Sequence, residues 1–154
     1  MKRCRMIFIL VCVISLLLSA CFTSGPYPAP VSESLENIEK IDLLDGSGVD
    51  RKFSNDSYKE VVIYSLEDNE IPAFIKGLVE ILFYKPNLEP SRHLGEIAVR
   101  IYYKDGTSDL IGSNCHYYLD AESEIIKLGV AFPDEEAFYA LFSQFVDSQL
   151  LPRK

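Results

Sequence analysis

Cys115 and His116 stand side by side, and a thiol next to an imidazole is the pair from which a cysteine nucleophile and its base are made. The segment around them, Cys115 to Leu119, reads as a β-strand, and neighbours on a strand point to opposite faces. The two side chains therefore cannot easily serve each other. Cys115 is expected as a small packed hydrophobe, and a Cys115-dependent hydrolase, with His93 approaching from its own loop, is the weakest reading. Asp45, Ser47, Asp50 and Asp56 place oxygens in a glycine-containing loop, the general requirement of a calcium site. The EF-hand template fails there, because no glycine sits at its sixth position and no glutamate at its twelfth. Turn chemistry accounts for these residues, and no metal, cofactor or catalytic residue is expected. The chain shows no glycine-rich phosphate loop, serine elbow or paired-histidine motif.

Tyr102-Tyr103 and Tyr117-Tyr118 are adjacent-tyrosine pairs on neighbouring strands, so each pair should send one ring to either sheet face. In the segment Glu96 to Tyr103, Ile97, Val99, Ile101 and Tyr103 alternate with Ala98, Arg100 and Tyr102. The first set is expected under the helices and the second outward. Arg100, Tyr102 and His116 are then the candidate contact patch, because aromatic rings supply much contact area at little entropic cost.

The elements that must position these residues follow from periodicity. Ile38 to Leu44 and Lys59 to Leu66 read as strands. Asn69 to Tyr84 carries Ile71, Phe74, Ile75, Leu78, Val79, Leu82 and Phe83 at spacings of three and four, which predicts an amphipathic helix capped by Asp68 or Asn69. Pro72 falls in its first turn, where a missing N–H costs nothing. Asp105-Gly106 predicts a tight hairpin turn after Tyr103. Thr107 to Ser113, Cys115 to Leu119 and Glu124 to Val130 complete the strands. A helix from Asp134 to about Ser148, with three acids in its first turn, buries Phe138, Leu141, Phe142 and Phe145. This order predicts an α+β fold: an antiparallel sheet of about four to five strands with two helices on one face.

The N-terminus reads as an address. Lys2, Arg3 and Arg5 precede the apolar run Met6 to Leu18, and Leu18-Ser19-Ala20-Cys21 closes it with small residues before a cysteine. The arrangement resembles the lipobox of bacterial lipoproteins, which implies cleavage before Cys21 and a diacylglyceryl group on its sulfur. A run of this length is short for a bilayer, which takes about 20 helical residues. The expected organisation is a signal peptide over 1–20, a lipidated Cys21 with a flexible proline-rich tether over 21–37, and one domain over 38–150. Pro26, Pro28 and Pro30 at alternate positions favour extended chain, which would lift the domain a few tens of ångströms from the lipid.

Cleavage removes three basic residues, leaving 15 − 3 = 12 Lys+Arg against 23 Asp+Glu, so the net charge moves from -8 to 12 − 23 = −11. So acidic a domain lacks the basic surface that phosphate backbones require, and no nucleic-acid partner is expected. Cys4 and Cys12 leave with the signal and Cys21 carries lipid, so Cys115 has no partner for an internal disulfide.

The opening IEKIDLLDG, the central apolar helix, the IYYKDGT hairpin, the tyrosine-bearing strand and the acidic-start closing helix resemble small lipoprotein domains of unknown function in Gram-positive bacteria, over roughly residues 38 to 147. The resemblance implies no catalytic residues. The expected function is a non-enzymatic binding domain, anchored in the cell membrane and facing the extracytoplasmic side, with a protein or small molecule as partner. The alternative is a small-ligand or metal-responsive accessory module with a cavity between helices and sheet.

Overall fold

The computed structural model describes residues 27–46, 61–84, 95–114, 116–122, 125–129, 132–147 and 149–151. Among the described residues, eight strands and two α-helices follow in the order β1 (Ile38–Asp45), β2 (Val62–Ser65), α1 (Ile71–Glu80), β3 (Phe83–Tyr84), β4 (Ile97–Tyr103), β5 (Ser108–Gly112), β6 (His116–Leu119), β7 (Ile125–Gly129), β8 (Phe132–Pro133) and α2 (Glu135–Phe142). Six strands form one antiparallel sheet in the order β2-β1-β4-β5-β6-β7, and β3 pairs with β8 in a separate ribbon. The fold is α+β, an antiparallel sheet with two helices, as the sequence predicts, and each strand of the main sheet falls on a segment read as a strand.

The strongest local prediction is the β4–β5 hairpin. Gly106 takes φ +89, a conformation open to glycine because it has no Cβ. Tyr103 N–H donates to the Thr107 carbonyl at 2.9 Å across the turn. The Asp105 carboxylate accepts from the Thr107 amide at 2.9 Å and from its hydroxyl at 2.7 Å. These two bonds hold the Asp105 carboxyl below the ordinary carboxylate value.

Both helices lie over one sheet face. Ile41, Leu43, Ile97, Val99, Ile101, Tyr103 and Ile111 from the sheet meet Phe74, Leu78, Phe138, Leu141 and Phe142 from the helices in one buried cluster. The rings fill the space between the helices edge to face, with Phe74 6.2 Å from Phe142 and 5.5 Å from Phe145. Gly77 lets the helices approach this closely: a Cβ there would lie 2.5 Å from Leu141 Cδ1. Asp134 caps α2, its carboxylate accepting from the Ala137 amide at 2.9 Å, which satisfies one of the unpaired N–H groups of the first turn.

Three expectations are corrected. First, α1 stops at Glu80 rather than Tyr84, and neither Asp68 nor Asn69 caps it. Glu70 stands at the N-cap without a side-chain bond to the helix; its carboxylate accepts instead from Glu67 N–H at 2.8 Å and Tyr64 OH at 3.0 Å. Beyond Glu80, pairing with β8 outcompetes helix continuation: Phe83 sits opposite Pro133 and is fully buried. Second, β4 at the middle of the sheet is buried on both sides. Ala98 is 0% and Arg100 8% exposed, so the alternation in β4 separates two interiors rather than core from solvent. A strand covered on both faces carries apolar residues in both phases, as β4 does. Third, the tether is not free along its length. Tyr27 bridges to Phe83, Ala29 and Val31 pack against the main core, and Lys104 N–H donates to the Asn37 carbonyl at 2.9 Å. Residues 27–37 thus form a strap laid along the domain, ending in a single 3-10 turn, Leu35–Asn37. Residues 1–26, on which the expected signal peptide and Cys21 fall, lie outside the described residues, as do Lys59 and Glu60 of the predicted second strand.

Candidate functional site

The most concentrated chemistry in the described chain is centred on Asp109, which is 0% exposed. Its β5 position opposite Ile101 aims it into the helix-covered core. A buried carboxylate is costly unless its lone pairs are met by donors, and here four donors converge. Oδ1 takes the Ser32 hydroxyl at 2.9 Å and meets His116 Nε2 at 2.8 Å. Oδ2 takes the Ser32 amide at 2.7 Å and the Tyr103 hydroxyl. The Tyr103 oxygen in turn accepts from the Ser32 amide at 3.1 Å. Burial, and then the Asp109 charge, push the Tyr103 hydroxyl well above the ordinary tyrosine value.

Serine, histidine and aspartate are the components of a hydrolytic triad, but the wiring differs. In a triad the imidazole stands between hydroxyl and carboxylate and takes the hydroxyl proton. Here the carboxylate stands between the other two, and the Ser32 proton points at Asp109. The cluster is suited to clamping rather than to nucleophilic attack: it fixes the strap, through both hydrogen-bonding groups of Ser32, to the centre of the sheet. A sequence signal existed in the phase of Ser108–Gly112, where Asp109 shares the inward phase with Ile111. Ser32, 77 residues earlier, carries no such signal.

The predicted patch does not assemble. Arg100 pairs across the sheet with Asp42 and Leu110, whereas His116 pairs with Ile111, so His116 lies on the opposite sheet face from Arg100 and Tyr102. His116 is 7% exposed and belongs to the Asp109 cluster. The adjacent tyrosines do split between the faces: Tyr103 and Tyr118 lie on the helix side, Tyr102 and Tyr117 on the other.

That other face has two zones. Leu44, Ala98, Leu110, Tyr117 and Leu119 form a second apolar cluster, with Phe132 packed against it. Beside it lies a polar zone in which the buried Asp42 carboxylate takes Lys40 Nζ at 2.7 Å and the Ser65 hydroxyl at 2.6 Å. Arg100 Nε donates to Ser108 Oγ at 3.2 Å. The Tyr102 ring lies 4.8 Å from the Arg100 guanidinium and 5.5 Å from Lys40 Nζ, an arrangement that attracts cations to the ring face. Arg100 and Tyr102 thus stand together but are half-buried or buried within the sheet's own packing.

Tyr139 donates to Glu96, and burial followed by that bond raises its hydroxyl above the ordinary value. Cys115, His93, Ser47, Asp50 and Asp56 lie outside the described residues. Among the described residues, no group of three or more His, Cys, Asp or Glu side chains is placed to hold a metal ion, and no helix is long and apolar enough to cross a membrane. No protein-family model, curated protein or solved structure matches the chain.

Proposed function

We propose that the chain is a lipid-anchored, extracytoplasmic interaction domain with no catalytic step of its own. One observation carries the reading: Lys2, Arg3 and Arg5, the apolar run Met6 to Leu18, and Leu18-Ser19-Ala20-Cys21 follow one another in the order and spacing that a lipoprotein signal needs. The position of the strap supports it. The described strap begins at Tyr27, six positions after Cys21, so a lipid on Cys21 is compatible with the strap's contacts. The wiring of the Asp109 cluster supports a non-catalytic domain, because the buried acid, imidazole and hydroxyls spend their hydrogen bonds on holding the N-terminal strap.

Metabolic labelling with a fatty-acid analogue tests the anchor. The wild-type chain should take up label and Cys21→Ala should not, while both give the same thermal melt. Label retained by Cys21→Ala would overturn the reading. Crosslinking in the native membrane then identifies the partner.

A further inference from the structure

The docked strap changes where the domain stands relative to its anchor. Ser32 is clamped to Asp109 through two atoms. At the other end of the strap, Tyr27 N–H donates to the Phe83 carbonyl at 2.7 Å. The chain between Cys21 and Tyr27 is only residues 22–26, and six backbone steps span at most about 20 Å. A 16-residue flexible linker would let the domain tumble at a distance; this short connection keeps one particular edge, that of β3, next to the lipid.

That edge carries exposed apolar side chains. Tyr27 is 40%, Leu82 49% and Tyr84 43% exposed. Leu82 and Tyr84 flank Phe83 in the chain and point to the side of β3 opposite its buried ring, and Tyr27 borders the same strand through its bridge to Phe83. The backbone beneath them is pinned, since Leu82 C=O accepts from Asp134 N–H at 2.8 Å and Tyr84 is paired with Phe132. Tyrosine rings with an apolar body and a polar tip suit the headgroup boundary of a bilayer.

We propose that the Tyr27–Leu82–Tyr84 edge rests on the lipid headgroup interface, so that the domain is held in one orientation on the membrane. The inference rests on the reading of Cys21 as the lipid carrier. The contact need not be strong. A short linker makes the second contact intramolecular, at an effective concentration on the order of millimolar, so a few partly inserted rings suffice to orient the domain. The net charge of the exported part is unfavourable toward anionic lipid, so the attraction comes from aromatic and apolar contact. It should therefore persist on zwitterionic vesicles.

The chain contains no tryptophan, so a single Tyr84→Trp substitution makes a clean reporter at an exposed site. Leu35→Trp serves as the control. Leu35 is 46% exposed and lies beyond the Ser32 clamp, eight residues along the strap from Tyr27. The full-length lipidated variants are reconstituted in phosphatidylcholine vesicles whose acyl chains carry bromine near the headgroup. Tryptophan at 84 should be quenched several-fold more than tryptophan at 35, and equally so when salt is raised.

Equal quenching at the two positions, or none at 84, would overturn the inference. So would a tryptophan at 84 that is shielded from acrylamide yet untouched by brominated lipid, which would assign the edge to a protein partner or a second copy of the chain. Fatty-acid labelling on the same samples separates the two levels: an unlabelled wild-type chain removes the anchor and this inference together, whereas a labelled chain with an unquenched reporter removes this inference alone.

Discussion

Asp109→Ala should be among the most damaging single substitutions in the domain, and the structure says how damaging. It takes the acceptor away from four donor contacts at once. Ser32 is exposed and can turn to water, but Tyr103 and His116 are 1% and 7% exposed and cannot. A buried polar group left without a partner costs about 1–3 kcal/mol, so two of them, together with the loosened strap, amount to about 3–5 kcal/mol. A domain's whole stability is roughly 5–15 kcal/mol, so the variant should be marginally folded. Asp109→Asn should be far milder. Its amide can turn its oxygen toward the Ser32 N–H and Tyr103 hydroxyl and its NH2 toward Ser32 Oγ and His116 Nε2. The four contacts are then kept, the exposed Ser32 hydroxyl gives its proton to water, and the loss is about 1 kcal/mol. Urea unfolding of the full-length chain in non-ionic detergent, followed by far-ultraviolet circular dichroism, gives both differences, and hydrogen exchange at the Ser32 amide reports the strap directly. An Asp109→Ala variant that loses less than about 1 kcal/mol with the Ser32 amide still protected would refute the clamp. The strap would then be held by Tyr27, Ala29 and Val31.

Tyr103→Ala should cost about 3–5 kcal/mol as the truncation of a buried aromatic, against about 1–2 kcal/mol for the half-buried Tyr102→Ala, whose ring contacts Arg100 and Lys40. Denaturant melts that reverse this order would invert the face assignment. The raised Tyr103 hydroxyl sets an alkaline limit. The folded state binds this proton more tightly than the unfolded chain, so its stabilisation is complete below the ordinary tyrosine value of 10.0 and is lost as pH rises past it. Stability measured from about pH 8 to about pH 12 should fall more steeply in the wild type than in Tyr103→Phe, and parallel curves would refute the assignment. Gly106→Ala forces a side chain into φ +89, with its Cβ 3.2 Å from Ala121 Cβ, and should cost about 1–2 kcal/mol; an unchanged thermal midpoint would show that the hairpin turn relaxes freely.

Local signals in the chain located the β4–β5 hairpin, the capped start of α2 and the phase of Ile97, Val99, Ile101 and Tyr103, because turn chemistry, capping and strand alternation act over a few residues and are written in those residues. The same short-range rules misjudged the end of α1. Leu82 and Phe83 continue a helical spacing perfectly well, and only the arrival of Pro133 from 50 residues away turns Phe83 into a strand.

Burial on the second sheet face was equally out of reach. Alternation tells which residues share a face but not what covers it, so Arg100 and Ala98 read as outward when both are enclosed. His116 was chosen for its chemistry and not its phase; counted in register with Ile111, it falls among the core residues. By itself, then, the sequence determined the acidic charge, most of the elements and the division of each strand into two faces. Tertiary structure alone decided that the proline-rich segment is a docked strap, and that a serine within it shares one buried carboxylate with a tyrosine and a histidine. A hydrogen bond spanning 77 residues depends on where the chain returns in space, and no local preference encodes that return.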